Sequence, residues 1–235
     1  MGKSKFRSRY LFIALPCLSV LAVAVTSGIS KQTPAPASSL RVQNKTESLE
    51  VVNISQQDTL CMLTLRNVSP KAINGYSIGR SSNSKLDVDL TIGDTTIAPG
   101  EEFKESIPIS QSQGPPVINV LAVMFTDGTA DGEAQVIAAN QERRKGTRQE
   151  LAHILPILRG ALNSSAPGEL STLKIKVASL PEETASEVSP QVKNGRLRAR
   201  QDIISKVEMM KQGDASAREE LRALIKDIEE RISRL

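Results

Sequence analysis

Between residues 49 and 127 the polarity of the chain changes almost residue by residue, and that alternation limits what the region can become. Leu86-Asp87-Val88-Asp89-Leu90-Thr91-Ile92 places an apolar side chain at every second position. A strand sends successive side chains to opposite faces, so a period of two means one buried side and one wet side. A helix would scatter the same residues around its circumference. Leu60-Cys61-Met62-Leu63-Thr64-Leu65-Arg66-Asn67-Val68-Ser69 forms the apolar centre of the stretch and closes in a turn. Asn and Ser there bond their own backbone, and Pro70 sets φ. Residues 49–54 read as a first strand, with a second opening at Asp58. A third is expected over 72–78, where Gly75 marks a bulge or a close approach. The alternating strand is expected to run to Ile92 and stop at Gly93-Asp94. After the Pro99-Gly100 turn, Phe103, Ile107 and Ile109 mark another strand. Residues 117–125 are almost wholly apolar, which predicts a central strand covered on both faces.

Seven or so short strands with regular turn signals are the pattern of an antiparallel β-sandwich. Leu63-Thr64-Leu65-Arg66-Asn67-Val68-Ser69 followed by Ile73, then Ile97-Ala98-Pro99-Gly100-Glu101 and Val123-Met124-Phe125-Thr126-Asp127-Gly128, carry a likeness. In these residues the chain resembles the immunoglobulin-like domains of exported bacterial proteins. The resemblance covers about a third of the chain and implies a fold and an envelope setting, not an activity. The chain has no Trp, so the Cys–Trp–Cys core of antibody-type domains is absent and the kinship is architectural. Aromatics make up only 3%, and the core is expected to be aliphatic.

Lys3, Lys5, Arg7 and Arg9 precede an apolar run over residues 10–25, broken only by Pro16 and Ser19. This is the layout of an export signal, with Ala22-Val23-Ala24 or Ala35-Pro36-Ala37 as a small-x-small cleavage site. Extended to residue 29, the run reaches the ~20 residues of a membrane-crossing helix. Basic residues before it keep the N-terminus cytoplasmic. Cleaved signal or uncleaved anchor over 10–29, both readings export everything after Ser30. Cys17 follows Pro16, where lipid attachment requires a small residue. With Cys17 in that run, Cys61 is alone and no bridge within the domain is possible. The Pro- and Ser-rich residues 31–46 are expected to be a disordered linker.

The expected organisation is mainly β with a helical tail. It comprises a signal peptide or anchor over 1–30, the sandwich over 47–130, a helical segment over 131–165, a linker over 166–190 and a C-terminal αα-hairpin over 191–235. In the helical segment, a first helix should end in Arg143-Arg144-Lys145, and Thr147 with Glu150 forms a capping box for a second. Leu151, Ile154, Leu155, Leu158 and Leu162 then share one face, meant for the sandwich or a partner. Pro156 interrupts that face. Residues 173–177 alternate and could be an edge strand or a short helix. In the hairpin, Leu221, Leu224, Ile225, Ile228, Ile232 and Leu235 form a stripe that Ile203, Ile204, Val207 and Met210 could face. Gly213 suits the turn, and Ser216 with Glu219 forms a second capping box.

No constellation for chemistry emerges, and neither catalytic, cofactor-binding nor metal-binding residues are expected. The one histidine, His153, lies beside an apolar helix face with no nucleophile or acid in pattern. Asp127-Gly128-Thr129-Ala130-Asp131-Gly132-Glu133 lacks the ligand spacing of a calcium loop, and a turn with a helix cap explains it better. Arg143-Arg144-Lys145 with Arg148 could touch anionic lipid or nucleic acid. Without aromatic platforms it reads as a solvated inter-helix face. A net charge of +4, partly from the first nine residues, leaves little for a nucleic-acid footprint, which needs a basic face rather than a basic total, and no nucleic-acid partner is expected. In a glycosylating host, Asn44, Asn53, Asn67 and Asn163 would fit the sequon. The expectation is a non-enzymatic exported or membrane-anchored envelope protein that binds an unknown protein partner through the sandwich or the tail. The alternative is a structural module that homo-oligomerises through its C-terminal helices.

Overall fold

The computed structural model describes residues 40–80, 85–92, 95–109, 117–164, 169–181, 188–210 and 214–235. The expected export segment with Cys17, most of the expected linker, and the Gly93-Asp94 and Gly213 turns lie outside these residues. Among the described residues, no helix is long and apolar enough to cross a membrane.

Among the described residues, eight strands form two sheets. The larger sheet holds β1 (Arg41–Asn44), β7 (Val117–Phe125), β4 (Ile73–Arg80) and β5 (Lys85–Asp89) in that order, with β8 (Ala130–Gly132) also on β7. The smaller orders β2 (Leu49–Gln57), β3 (Leu60–Asn67) and β6 (Glu102–Pro108). Leu49, Cys61, Leu63, Leu65 and Ile107 of the small sheet share one buried cluster with Tyr76, Ile78, Ile118, Val120, Val123 and Phe125 of the large one. The apolar run of β3 alternates in burial, since Cys61, Leu63 and Leu65 are sealed while Met62, Thr64 and Arg66 are half-buried.

Several sequence expectations need correction here. Residues 41–44 belong to no linker: they pair in parallel with the first half of β7, and Val42 packs against the apolar cluster. Asp58 does not open a strand but sits in the β2–β3 turn at φ 51, a left-handed conformation that Asp tolerates. The alternating strand stops at Asp89 and becomes a 3₁₀ turn over Leu90–Ile92. There the Asp89 carboxylate accepts from the Thr91 N–H at 3.2 Å and from its hydroxyl at 2.7 Å, turning the backbone locally. Asn67 is fully buried and unsuited to glycosylation. Its amide donates to the carbonyls of Lys71 and Ile97, and its oxygen accepts from Ser69.

Nor is the fold mainly β, because four helices take up roughly half of the described residues. Helix α1 (Ala134–Asn163) is continuous through the expected break. Gly146 lies inside it and serves close packing, because a side chain there would strike α3 (Pro190–Met209): a Cβ would lie 2.1 Å from the Val192 carbonyl oxygen. Thr147 and Glu150 form no capping box, since mid-helix no N–H is left over to cap. Thr147 instead donates its hydroxyl to the Gly195 carbonyl at 3.2 Å, and Glu150 accepts from Arg200 Nε at 2.6 Å. The helical stretch also begins later than expected, at Ala134, because Asp131 and Gly132 belong to β8. Gly132 adopts φ 121, and a Cβ there would come 2.3 Å from the Leu121 carbonyl oxygen.

Residues 173–177 are helical. They form part of α2 (Glu169–Ala178), inside the expected linker, with Leu173 and Val177 buried one turn apart. The stripe of α1 lies on neither the first core nor a partner. Leu151, Ile154 and Leu158 pack with Leu173, Val177, Ala199, Ile203, Leu221, Leu224, Ile225 and Ile228 in a second apolar cluster. Helices α3 and α4 (Asp214–Arg234) therefore share their facing stripes with α1 and α2, and two ion pairs join them, Lys206–Asp227 at 3.1 Å and the buried Arg231 with Asp202 at 3.0 Å. Ser189 caps α3, accepting from the Val192 N–H at 3.2 Å. Ser216 caps nothing, because α4 starts two residues earlier.

Candidate functional site

The first turns of α1 lie over the polar side of β4 and β5, the side whose alternation promised exposure. Asp87 and Asp89 project there from β5, two residues apart as the strand period requires. Asn140, Arg143 and Arg144 come down from α1 at spacings of three and four, which places them on one helical face. Asn140 donates to Ser77 Oγ at 2.9 Å, and Ser77 Oγ donates to Asp87 at 2.6 Å. Arg143 pairs with Asp87 at 2.9 Å. Arg144, 9% exposed, directs Nη2 to the Asn74 carbonyl at 2.9 Å, to the Asn74 side chain at 3.0 Å and to Asp89 at 3.3 Å.

Gly75 makes this seam possible. A Cβ on it would lie 2.7 Å from Arg144 Nη2, and β4 carries a register shift against β7 between Ile73 and Gly75. The expected bulge and close approach are thus both present. A cavity of about 20 Å³ remains between Gly75 and the two arginines, room for a single water. Burial pushes the Arg144 guanidinium down from its ordinary value, and Asp89 opposes the shift. Taking such pairs out of water costs desolvation, which offsets much of their mutual attraction.

Beside the seam opens a larger cleft of about 310 Å³, bounded by the end of β7, by α1 and by the last residues of α4. Arg144, Lys145, Arg148 and Arg234 line it, with Met124 and Phe125 among the apolar residues. The basic run seen in the sequence is therefore not one solvated face. Arg143 and Arg144 enter the seam, while Lys145 and Arg148 stay exposed at the cleft. The signal for the patch was present in the sequence. The contributions of Arg234 and Phe125 were not, because only folding brings them to it.

The other singled-out residues are placed elsewhere. His153 is exposed on α1. Cys61 is sealed in the first core, and burial pushes its thiol up, away from the reactive thiolate. Asp127 pairs with Lys71 at 2.8 Å and accepts from Thr129, and these bonds, Lys71 first, hold its carboxyl well below the usual range. Asp131 accepts from the backbone N–H groups of Glu47 and Ser48 at 2.8 and 2.9 Å, tying the start of β2 to β8. Among the described residues, no three His, Cys, Asp or Glu side chains converge as metal ligands. No protein-family model, curated protein or solved structure matches the chain.

Proposed function

We propose that this chain is a non-enzymatic exported or membrane-anchored envelope protein. Its two sheets act as an immunoglobulin-like sandwich that binds another protein along the open edge of β2. The carrying observation is that β2 runs for nine residues and, among the described residues, pairs only with β3. An edge of that length offers a row of backbone donors and acceptors to an incoming strand. Val52, 39% exposed at the irregularity in β2, supplies an apolar contact beside it. The basic prelude and apolar run of the N-terminus support the envelope setting.

Self-association through the C-terminal helices is the weaker reading, because the stripe it would use is already covered. Leu221, Leu224, Ile225 and Ile228 are each at most 7% exposed within the protein's own second core.

The test is co-purification of the full-length tagged protein from envelope extracts, compared with a Val52→Lys/Ser55→Lys variant. Both positions are exposed, so the charges block strand addition without entering the core. The reading expects a partner recovered by the wild type and lost by the variant. Recovery that the variant leaves undiminished overturns it, as does the absence of any partner.

A further inference from the structure

We propose that the cleft between α1, the end of β7 and the last turn of α4 is a binding site for a phosphate monoester group. The site is separate from the β2 edge and does not depend on that reading. Four cationic side chains, Arg144, Lys145, Arg148 and Arg234, line the cleft, and no acidic side chain does. Lys145 and Arg148 are exposed and form no ion pair with a described residue. Arg144 gives the site a fixed, buried donor. Its three protein hydrogen bonds all use Nη2. The same side chain lines the cleft, so its remaining N–H groups are the donors an entering anion would meet.

Charge count selects the ligand class. Asp89 partly offsets Arg144 from behind and Arg234 is engaged in interactions of its own, which leaves Lys145 and Arg148 as the two charges near the opening that no described residue pairs. A phosphate monoester carries close to two negative charges at neutral pH and three acceptor oxygens, matching both the charge and the donors. A carboxylate brings one charge and leaves the excess in place. The Arg fork orients a tetrahedral anion and Lys adds a point charge, a division of roles those side chains suit. A volume of about 310 Å³ lies at the small end of ligand sites, enough for a phosphate and a short organic remainder against Met124 and Phe125. A phosphorylated lipid headgroup and a soluble phosphate ester share this chemistry.

Isothermal titration of the full chain with glycerol 3-phosphate, and with acetate as the monovalent control, tests the class. Flotation with vesicles of phosphatidic acid or of phosphatidylcholine tests the source. Lys145→Ala/Arg148→Ala is the informative variant because both residues are exposed and make no internal bond. The N-terminal segment contributes equally to wild type and variant, so in flotation the difference between them is read. Glycerol 3-phosphate is expected to bind and acetate not, with affinity falling at least about tenfold in the variant. Variant-sensitive binding of phosphatidic acid vesicles alone supports the class with a lipid as the source. Binding of the soluble ester alone supports it with a soluble ligand. The proposal is overturned if neither phosphate probe binds, if acetate binds equally well, or if the variant binds as the wild type does. Arg144→Lys, which keeps the charge and loses the fork, should weaken binding as well, with folding checked by circular dichroism.

Discussion

Gly195 of α3 lies so close to Arg143 of α1 that a Cβ on the glycine would stand 2.0 Å from the Arg143 carbonyl oxygen. The side chain of that same Arg143 reaches Asp87 on β5 at 2.9 Å. One residue thus presents its backbone to a helix and its guanidinium to a strand, and so links the helical layer to the sheet.

Substitutions of the three α1 and α3 glycines should therefore have opposite signs. Gly→Ala inside a helix ordinarily gains up to about 1 kcal/mol. Gly160→Ala, with nothing within 4 Å of its Cβ, should show that gain. Gly195→Ala and Gly146→Ala must instead push two helices apart against backbone atoms, and should lose about 1–3 kcal/mol. Urea midpoints of the three variants decide the matter. A Gly195→Ala protein as stable as Gly160→Ala would show that the close crossing does not exist.

The pair Glu150–Arg200 holds α3 to α1 at a second point. Glu150 is 1% exposed, its carboxylate lies 2.6 Å from Arg200 Nε, and Arg200 also donates to the Leu180 carbonyl at 2.8 Å. Removing one partner strands a buried charge, so Glu150→Ala should cost about 3–5 kcal/mol. Glu150→Leu combined with Arg200→Met removes both charges and should recover much of that loss. Chemical denaturation of the singles and the double closes the cycle, and additive effects would exclude the coupling.

Tyr76 sets an alkaline limit. Burial, followed by its hydrogen bond to Glu105, pushes the phenol above its ordinary value. A raised pKa means the folded state holds the proton that the unfolded chain releases. The stabilisation is complete below about pH 10, the unfolded value, and is lost as pH rises towards the folded one. Tyr76→Phe removes the titrating group and one hydrogen bond. It should be less stable than the wild type by about 1 kcal/mol at neutral pH and lose less stability between pH 9 and roughly 11. Thermal melts across that range report both effects, and parallel pH profiles would contradict the assignment.

Much of the local structure was legible because it depends on neighbours in the chain. The apolar run 117–125 marks β7 to the residue, Gly75 signals its bulge, and the stripe from Leu221 to Ile232 marks the buried side of α4. Periodicity reports which side chains avoid water, and it does so one element at a time. It cannot say what does the covering. The Asp87 and Asp89 side of β5 reads as solvent-facing, yet α1 lies on it through residues more than fifty positions away. Gly146 and Thr147 look like the end of one helix and the start of another. Only the approach of α3 shows that the glycine is there to admit a backbone. In the candidate cleft, Arg143-Arg144-Lys145 is visible as a charge run, but its division between a buried seam and an open wall is not.

Residue order alone marked most of the strands and the apolar faces of the helices, since φ/ψ preference and burial pattern act over a few residues. The tertiary structure alone decided that α1 is continuous, that its arginines are partly buried against the sheet, and that a basic cleft opens beside Phe125. Ion pairs and close backbone crossings are set by distances in space between residues far apart in the chain, and no local pattern records those distances.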